Sequence, residues 1–180
     1  LIVEEAVRSG VEDVILITAR GKDSIADYFD YSYEIEDMLE KKGKGDQARS
    51  LKKIADMCNL ITVRQKTPLG LGHAVLCAAP IVGNEPFAIL LGDDLIDAEV
   101  PCTKQIIQIY EKEGASVVGV MEVPKEDTSK YEMVGGTMIG KDLMQVDRLV
   151  EKPKPADSPS QLAIPGRYVL SSTIFDCRRK

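Results

Sequence analysis

Histidine occurs once in these 180 residues, and the four cysteines, Cys58, Cys77, Cys102 and Cys177, stand far apart with no C-x-x-C pair among them. Structural zinc draws on clustered Cys and His, and a disulfide framework needs paired cysteines in a short secreted chain, so neither organises this protein. Positive charge is also short: 23 Lys and Arg against 29 Asp and Glu give a net charge of -6. That balance does not build a broad basic surface for nucleic acid, and any phosphate binding has to be local. No run approaches the roughly 18 apolar residues of a membrane span, and no basic stretch followed by an apolar segment opens the chain. The expected setting is the reducing cytoplasm, with neither a membrane nor a nucleic acid as partner.

What is present is a globular composition, 44% apolar, which suffices for one core at this length. Leu1 has no methionine before it, and residues 1–10 read as a helix already in progress, with Ile2, Val3, Ala6 and Val7 on one face and Gly10 as its stop. At the other end, Ile174, Phe175 and Asp176 open an element that Arg178, Arg179 and Lys180 cut short. Both ends are therefore expected to be truncated.

Between them, apolar runs alternate with helical patterns. Residues 11–18 contain Val14-Ile15-Leu16-Ile17, a continuous run suited to a strand covered on both faces. Helical stretches follow from Asp23 or Ser24 to Phe29, over 33–42 and over 46–57, the last two parted by Gly43-Lys44-Gly45. Residues 60–64 predict a second strand, a loop with Pro68, Gly70 and Gly72 comes next, and 73–79 form a helix that Pro80 ends. Strand 87–91, helix 103–113 closed by Gly114, and strand 117–123 complete the series. Such alternation predicts an α/β/α sandwich with a mostly parallel sheet. From Pro124 the texture becomes β-rich, with short strands at 133–139, 144–150 and 167–170 and a proline-punctuated loop before the last.

Ligands of open α/β sheets collect at the carboxyl ends of strands, where helix N-termini present free amides. Three such ends carry unusual residues. Arg64-Gln65 leads into Gly70-Leu71-Gly72-His73, where a glutamine amide can meet a base edge and Gly72 lets backbone approach a ring; ordinary turn chemistry explains the glycines equally, and His73 reads as a helix-start or packing residue. Gly92-Asp93-Asp94 follows a strand directly, so a carboxylate there can hold a hard cation such as magnesium, while a plain aspartate turn remains the alternative. Glu151-Lys152-Pro153 ends another strand, delivering an acid for sugar hydroxyls and a cation for a phosphate to opposite faces; alone, such a pair is a surface pair worth little.

Together, Arg64-Gln65 with G-L-G-H-A, F-A-I-L-L-G-D-D at 87–94, V-E-K-P at 150–153 and A-I-P-G-R-Y at 163–168 resemble, in order and spacing, the bacterial UTP:glucose-1-phosphate uridylyltransferases. The resemblance covers essentially the whole chain. It implies a Rossmann-like fold of the sugar nucleotidyltransferase type in a single domain, residues 1–123 carrying the nucleotide and 124–180 the sugar. It implies transfer of a uridylyl group from UTP to glucose 1-phosphate, giving UDP-glucose and pyrophosphate with Mg2+ as cofactor. Gln65 and backbone near Gly72 would hold uracil, and Gly92, Asp93 and Asp94 would form the metal and phosphate turn, with Asp93 the metal ligand. Glu151 would take glucose hydroxyls, Lys152 the sugar phosphate, and main chain near Ile164 and Gly166 would close the sugar pocket. The resemblance makes Asp93 and Lys152 the expected catalytic residues, and the full-length protein is expected to be a homo-oligomer.

The sequence also departs from that pattern. The family's G-x-G-T-R segment, which grips nucleotide phosphates, would lie before Leu1, and a further metal-binding aspartate after Lys180. Glu132 follows Tyr131 where the family has glycine, and Gln161 replaces asparagine. A glutamate there adds bulk and repulsion near a sugar phosphate unless the chain over 130–136 shifts on Gly135 and Gly136. A thymidylyltransferase or a non-catalytic sugar-nucleotide-binding paralogue are the competing readings, whereas a dinucleotide-dependent dehydrogenase lacks its G-x-G-x-x-G.

Overall fold

The structure, a computed structural model, describes residues 1–178. Arg179 and Lys180, read from sequence as cutting an element short, lie outside them; Ile174, Phe175 and Asp176 belong to a 3-10 helix, Ser172–Arg178. The chain forms two compact units, one of Leu1–Pro86 with the segment from Ser172 on, the other Phe87–Ser171.

In the first unit, α1 (Ile2–Arg8) turns at Gly10, whose φ of 94° suits glycine, into β1 (Asp13–Thr18). This strand pairs in parallel with β2 (Asn59–Arg64), from Asp13 opposite Asn59 to Thr18 opposite Arg64. The connection carries α2 (Asp23–Asp27), α3 (Tyr33–Lys41) and α4 (Gly45–Ala55). The last two pack on each other through Ala48 and Glu36, whose carboxylate accepts from the Ser32 N–H at 3.2 Å and meets the Lys52 ammonium at 3.5 Å. After β2 comes α5 (Leu71–Val82), which starts two residues earlier than the glycine count suggests and runs through Pro80. A proline in the last turn removes one hydrogen bond without stopping the chain. Gly83, at φ 62°, does that.

The second unit corrects the expectation of a mostly parallel sheet. β3 (Phe87–Leu90), α6 (Cys102–Glu113) and β4 (Val117–Val118) form the predicted crossover, yet β3 and β4 do not pair with each other. Between them lies β9 (Arg167–Leu170), antiparallel to both, with Leu90 opposite Arg167 and Val118 opposite Tyr168. The strand that fills the gap enters from the β-rich extension in the opposite sense. The expected strand over 117–123 is likewise broken: at Gly119, whose N–H donates to the Arg167 carbonyl at 2.8 Å, the chain leaves one sheet and joins another as β5 (Met121–Glu122). There the order is β5, β8 (Leu162–Ala163), β6 (Glu132–Gly140), β7 (Leu143–Glu151), all antiparallel. Val123, Met133 and Ala163 form its core, with Met121 and Tyr131 packed against them. Gly135 and Gly136 are not a movable loop. They sit inside β6 at a register shift, and a Cβ on Gly136 would stand 2.0 Å from the Gln145 carbonyl oxygen.

Candidate functional site

In the first unit the candidate residues stand at the carboxyl ends of β1 and β2. The Gln65 N–H donates to the Thr18 carbonyl at 2.8 Å, so its side chain begins where both strands end. Its amide nitrogen reaches the Gly70 carbonyl at 3.2 Å and His73 Nδ1 at 2.9 Å. An amide nitrogen only donates, so in this orientation Nδ1 is the acceptor. Gln65 Oε1 has no partner among the described residues. Gly70, with φ 87° and ψ 179°, holds a conformation open essentially to glycine alone and directs the chain into α5. Gly72 is therefore the second residue of the helix rather than a turn residue, and its N–H is among the first amides of α5, which lack intrahelical acceptors. The buried Thr18 hydroxyl, beside the Gln65 anchor, has no partner among the described residues; sequence reading missed it, since nothing local distinguishes it.

In the second unit, Gly92, Asp93 and Asp94 form the turn after β3, with Gly92 and Asp93 exposed and Asp94 half-buried. Glu151 ends β7 directly opposite Glu132 of β6. The Lys152 N–H donates to the Tyr131 carbonyl at 3.0 Å, which makes Glu132 and Glu151 a non-hydrogen-bonded pair with side chains on one face. Lys152 itself adopts φ 41°, a left-handed conformation costly for a residue with a Cβ. Its ammonium lies 3.6 Å from Glu151 Oε1, so the acid and base share a side instead of facing opposite ways. Both are well exposed, and the pair contributes little to stability.

Tyr168 links these groups. Its hydroxyl pKa is raised first by burial and then by the nearby carboxylates of Glu132, Glu151 and Asp94. The Glu132 carboxyl is raised by burial and then by Glu151. Carboxylates from the turn after β3, the start of β6 and the end of β7 thus all act electrostatically on one phenol. Ile164 and Gly166 are buried: the Ile164 N–H donates to the Glu132 carbonyl at 3.0 Å, and the Gly166 carbonyl accepts from the Leu91 N–H at 2.9 Å. Gln161 ties its amide to the Val123 carbonyl at 3.1 Å, a bond between β5 and β8 strand ends. Arg167, fully buried, was also given no role from sequence, although a charge opening the apolar run R-Y-V-L was the available signal.

Among the described residues no group of three or more His, Cys, Asp or Glu could hold a metal ion. A cation at Asp93 would be one that keeps most of its waters and takes one carboxylate plus ligand phosphates, which fits magnesium and not zinc. Chemically, the first unit carries an amide and helix amides that can bond a polar ring, and the second carries an aspartate turn, a lysine ammonium and carboxylates.

A family model described as nucleotidyl transferase matches residues 1–180. The chain is 49% identical over 174 residues to a UTP–glucose-1-phosphate uridylyltransferase of Bacillus subtilis, an alignment that takes in 97% of this chain and 59% of that protein. A solved UDP-glucose pyrophosphorylase complexed with UDP-glucose is 39% identical with a TM-score of 0.86, over 97% of this chain and 64% of that one. A UTP-bound UGPase from Acinetobacter baumannii is 37% identical with a TM-score of 0.92, over 99% and 65%. The chain thus spans less than two thirds of the length of each.

Proposed function

The chain belongs to the nucleotidyl transferase family, and from that premise we propose that the intact protein transfers a uridylyl group from UTP to glucose 1-phosphate, releasing pyrophosphate and UDP-glucose. The observation that supports this reading is that β9 pairs with β3 and its Arg167 bonds the Asp94 carbonyl, Glu132 stands opposite Glu151 across β6 and β7, and the charges of all three carboxylates act on Tyr168. In this reading Gln65 Oε1 and the first amides of α5 near Gly72 bind the uracil edge. Asp93 holds Mg2+ with its waters, flanked by Gly92 and Asp94; the ion, when bound, offsets charge on the triphosphate. Lys152, pre-set by its left-handed backbone, takes the sugar phosphate and Glu151 accepts from sugar hydroxyls, with main chain at Ile164 and Gly166 shaping the pocket. Residues 1–123 would then serve the nucleotide and 124–180 the sugar, in one domain.

The reaction is in-line attack by a phosphate oxygen of the sugar phosphate on the α-phosphorus of UTP; the new P–O bond forms as the bond to the β-phosphate bridging oxygen breaks, and pyrophosphate leaves. In this reading no side chain takes up the uridylyl group. The chain's part is to orient the two phosphates and neutralise charge. UTP and glucose 1-phosphate with Mg2+ should therefore yield pyrophosphate in the presence of the intact protein, and Lys152→Ala should raise the requirement for glucose 1-phosphate far more than that for UTP. An equal yield from dTTP, no pyrophosphate at all, or equal weakening of both substrates would overturn the reading.

A further inference from the structure

Arg167 is the largest fully buried side chain of the described residues. A guanidinium cannot shed its charge, so burial obliges it to find acceptors around its rim. Here they include main-chain carbonyls. Nη1 donates to Leu91 at 3.2 Å and to Gly166 at 3.3 Å, and Nη2 donates to Asp94 at 2.9 Å. Leu91 and Asp94 are the two ends of the turn that contains Gly92 and Asp93. One planar group therefore bonds both ends of the turn and fixes their separation.

The arginine is itself firmly held. It stands opposite Leu90 in the β3–β9 pair, and its carbonyl accepts from the Gly119 N–H at 2.8 Å. Gly166, at φ 67°, brings the chain so close to the turn that a Cβ there would lie 2.7 Å from Leu91 Cβ. Asp93, by contrast, is exposed and forms no hydrogen bond or ion pair of its own among the described residues. Its position is set by the backbone on either side, and hence by what grips that backbone.

We propose that Arg167 is a positioning residue for Asp93: its guanidinium clamps the turn over 91–94 so that the Asp93 carboxylate stays where a divalent cation and nucleotide phosphates meet it. This rests on the assignment of Asp93 as the cation ligand. Arginine is required because a two-pronged fork can bond both ends of the turn, whereas a lysine ammonium is a single point.

The test compares Arg167→Met, Arg167→Lys and Asp93→Asn in the intact protein. In the ligand-free protein, Arg167→Met should speed amide hydrogen exchange at 92–94 by about tenfold or more while the β6–β7 amides change by less than about twofold. In turnover it should raise the half-saturating Mg2+ concentration by about tenfold and the KM for glucose 1-phosphate by a clearly smaller factor, since the guanidinium bonds both ends of the cation's turn but only one carbonyl, Gly166, beside the sugar. Arg167→Lys should fall between wild type and Arg167→Met on both measures, and it carries the comparison alone if the methionine variant does not fold. Unchanged exchange at the turn overturns the proposal, as does equal acceleration in β6–β7 or a loosened turn with the wild-type Mg2+ requirement. If Asp93→Asn raises the Mg2+ requirement and the Arg167 variants do not, the proposal fails and the Asp93 assignment stands. If Asp93→Asn leaves it unchanged, both fall.

Discussion

At Glu132 the pairing of β6 with β7 sets a half-buried carboxyl beside that of Glu151, and its pKa rises, through burial first and then through the neighbouring charge. An acid whose folded pKa lies above its unfolded one binds its proton more tightly when folded. That advantage is complete below the ordinary glutamate pKa of about 4.3 and is lost as pH climbs through the raised folded value. Above that value a charged Glu132 stands opposite Glu151 in the β6–β7 pair, an arrangement of like charges that weakens a cross-strand pair. Glu132→Gln should therefore raise the melting temperature of the intact protein at pH 7, with the gain shrinking to nothing by about pH 4. A gain that is the same at both pH values would show that Glu151 and burial are not its cause. Glu132 could be singled out in the sequence as a departure from a family glycine; that it meets Glu151, 19 positions away, depends on the hairpin register.

The β6–β7 hairpin shows the same division at the level of an element. The β-rich texture after Pro124 predicted strands over 133–139 and 144–150, and the observed strands are one residue longer at each end. The role of Gly135 and Gly136 was not legible, because a pair of glycines reads as flexibility when it stands alone. In the hairpin they mark close approach: added Cβ atoms would lie 2.8 Å from Pro159 Cβ at Gly135 and 2.0 Å from the Gln145 carbonyl oxygen at Gly136, while Gly140 leaves 3.4 Å to the Leu143 side chain. Gly136→Ala should cost about 2 kcal/mol or more in chemical denaturation, because backbone must move, and Gly140→Ala under about 1 kcal/mol. Equal costs at the two positions would contradict this account. Pro80 teaches the converse, since a residue that breaks helices in their interior is tolerated in the last turn of α5.

For the whole molecule, ligand binding is linked to stability, which gives a test free of turnover. At a hundred times its dissociation constant a ligand stabilises the folded state by about 2.7 kcal/mol. UTP with Mg2+ should raise the melting temperature of the intact protein more than UTP with a chelator, and Asp93→Asn should erase the difference. A difference that survives in Asp93→Asn would place the cation elsewhere. Among the described residues no helix is long and apolar enough to cross a membrane, in line with the absence of long apolar runs.

The sequence by itself determined the family resemblance, through G-L-G-H-A, L-L-G-D-D and E-K-P, because those motifs are short runs of neighbouring residues that can be read without the fold. It also determined most helices and strands, whose periods are local. Only the tertiary structure decided strand direction, since β9 reaches its place between β3 and β4 through pairings remote in the chain. The same is true of the Arg167 clamp and the carboxylates around Tyr168. An arginine signals charge in a sequence, but which carbonyls it holds is fixed only when distant strands close around it.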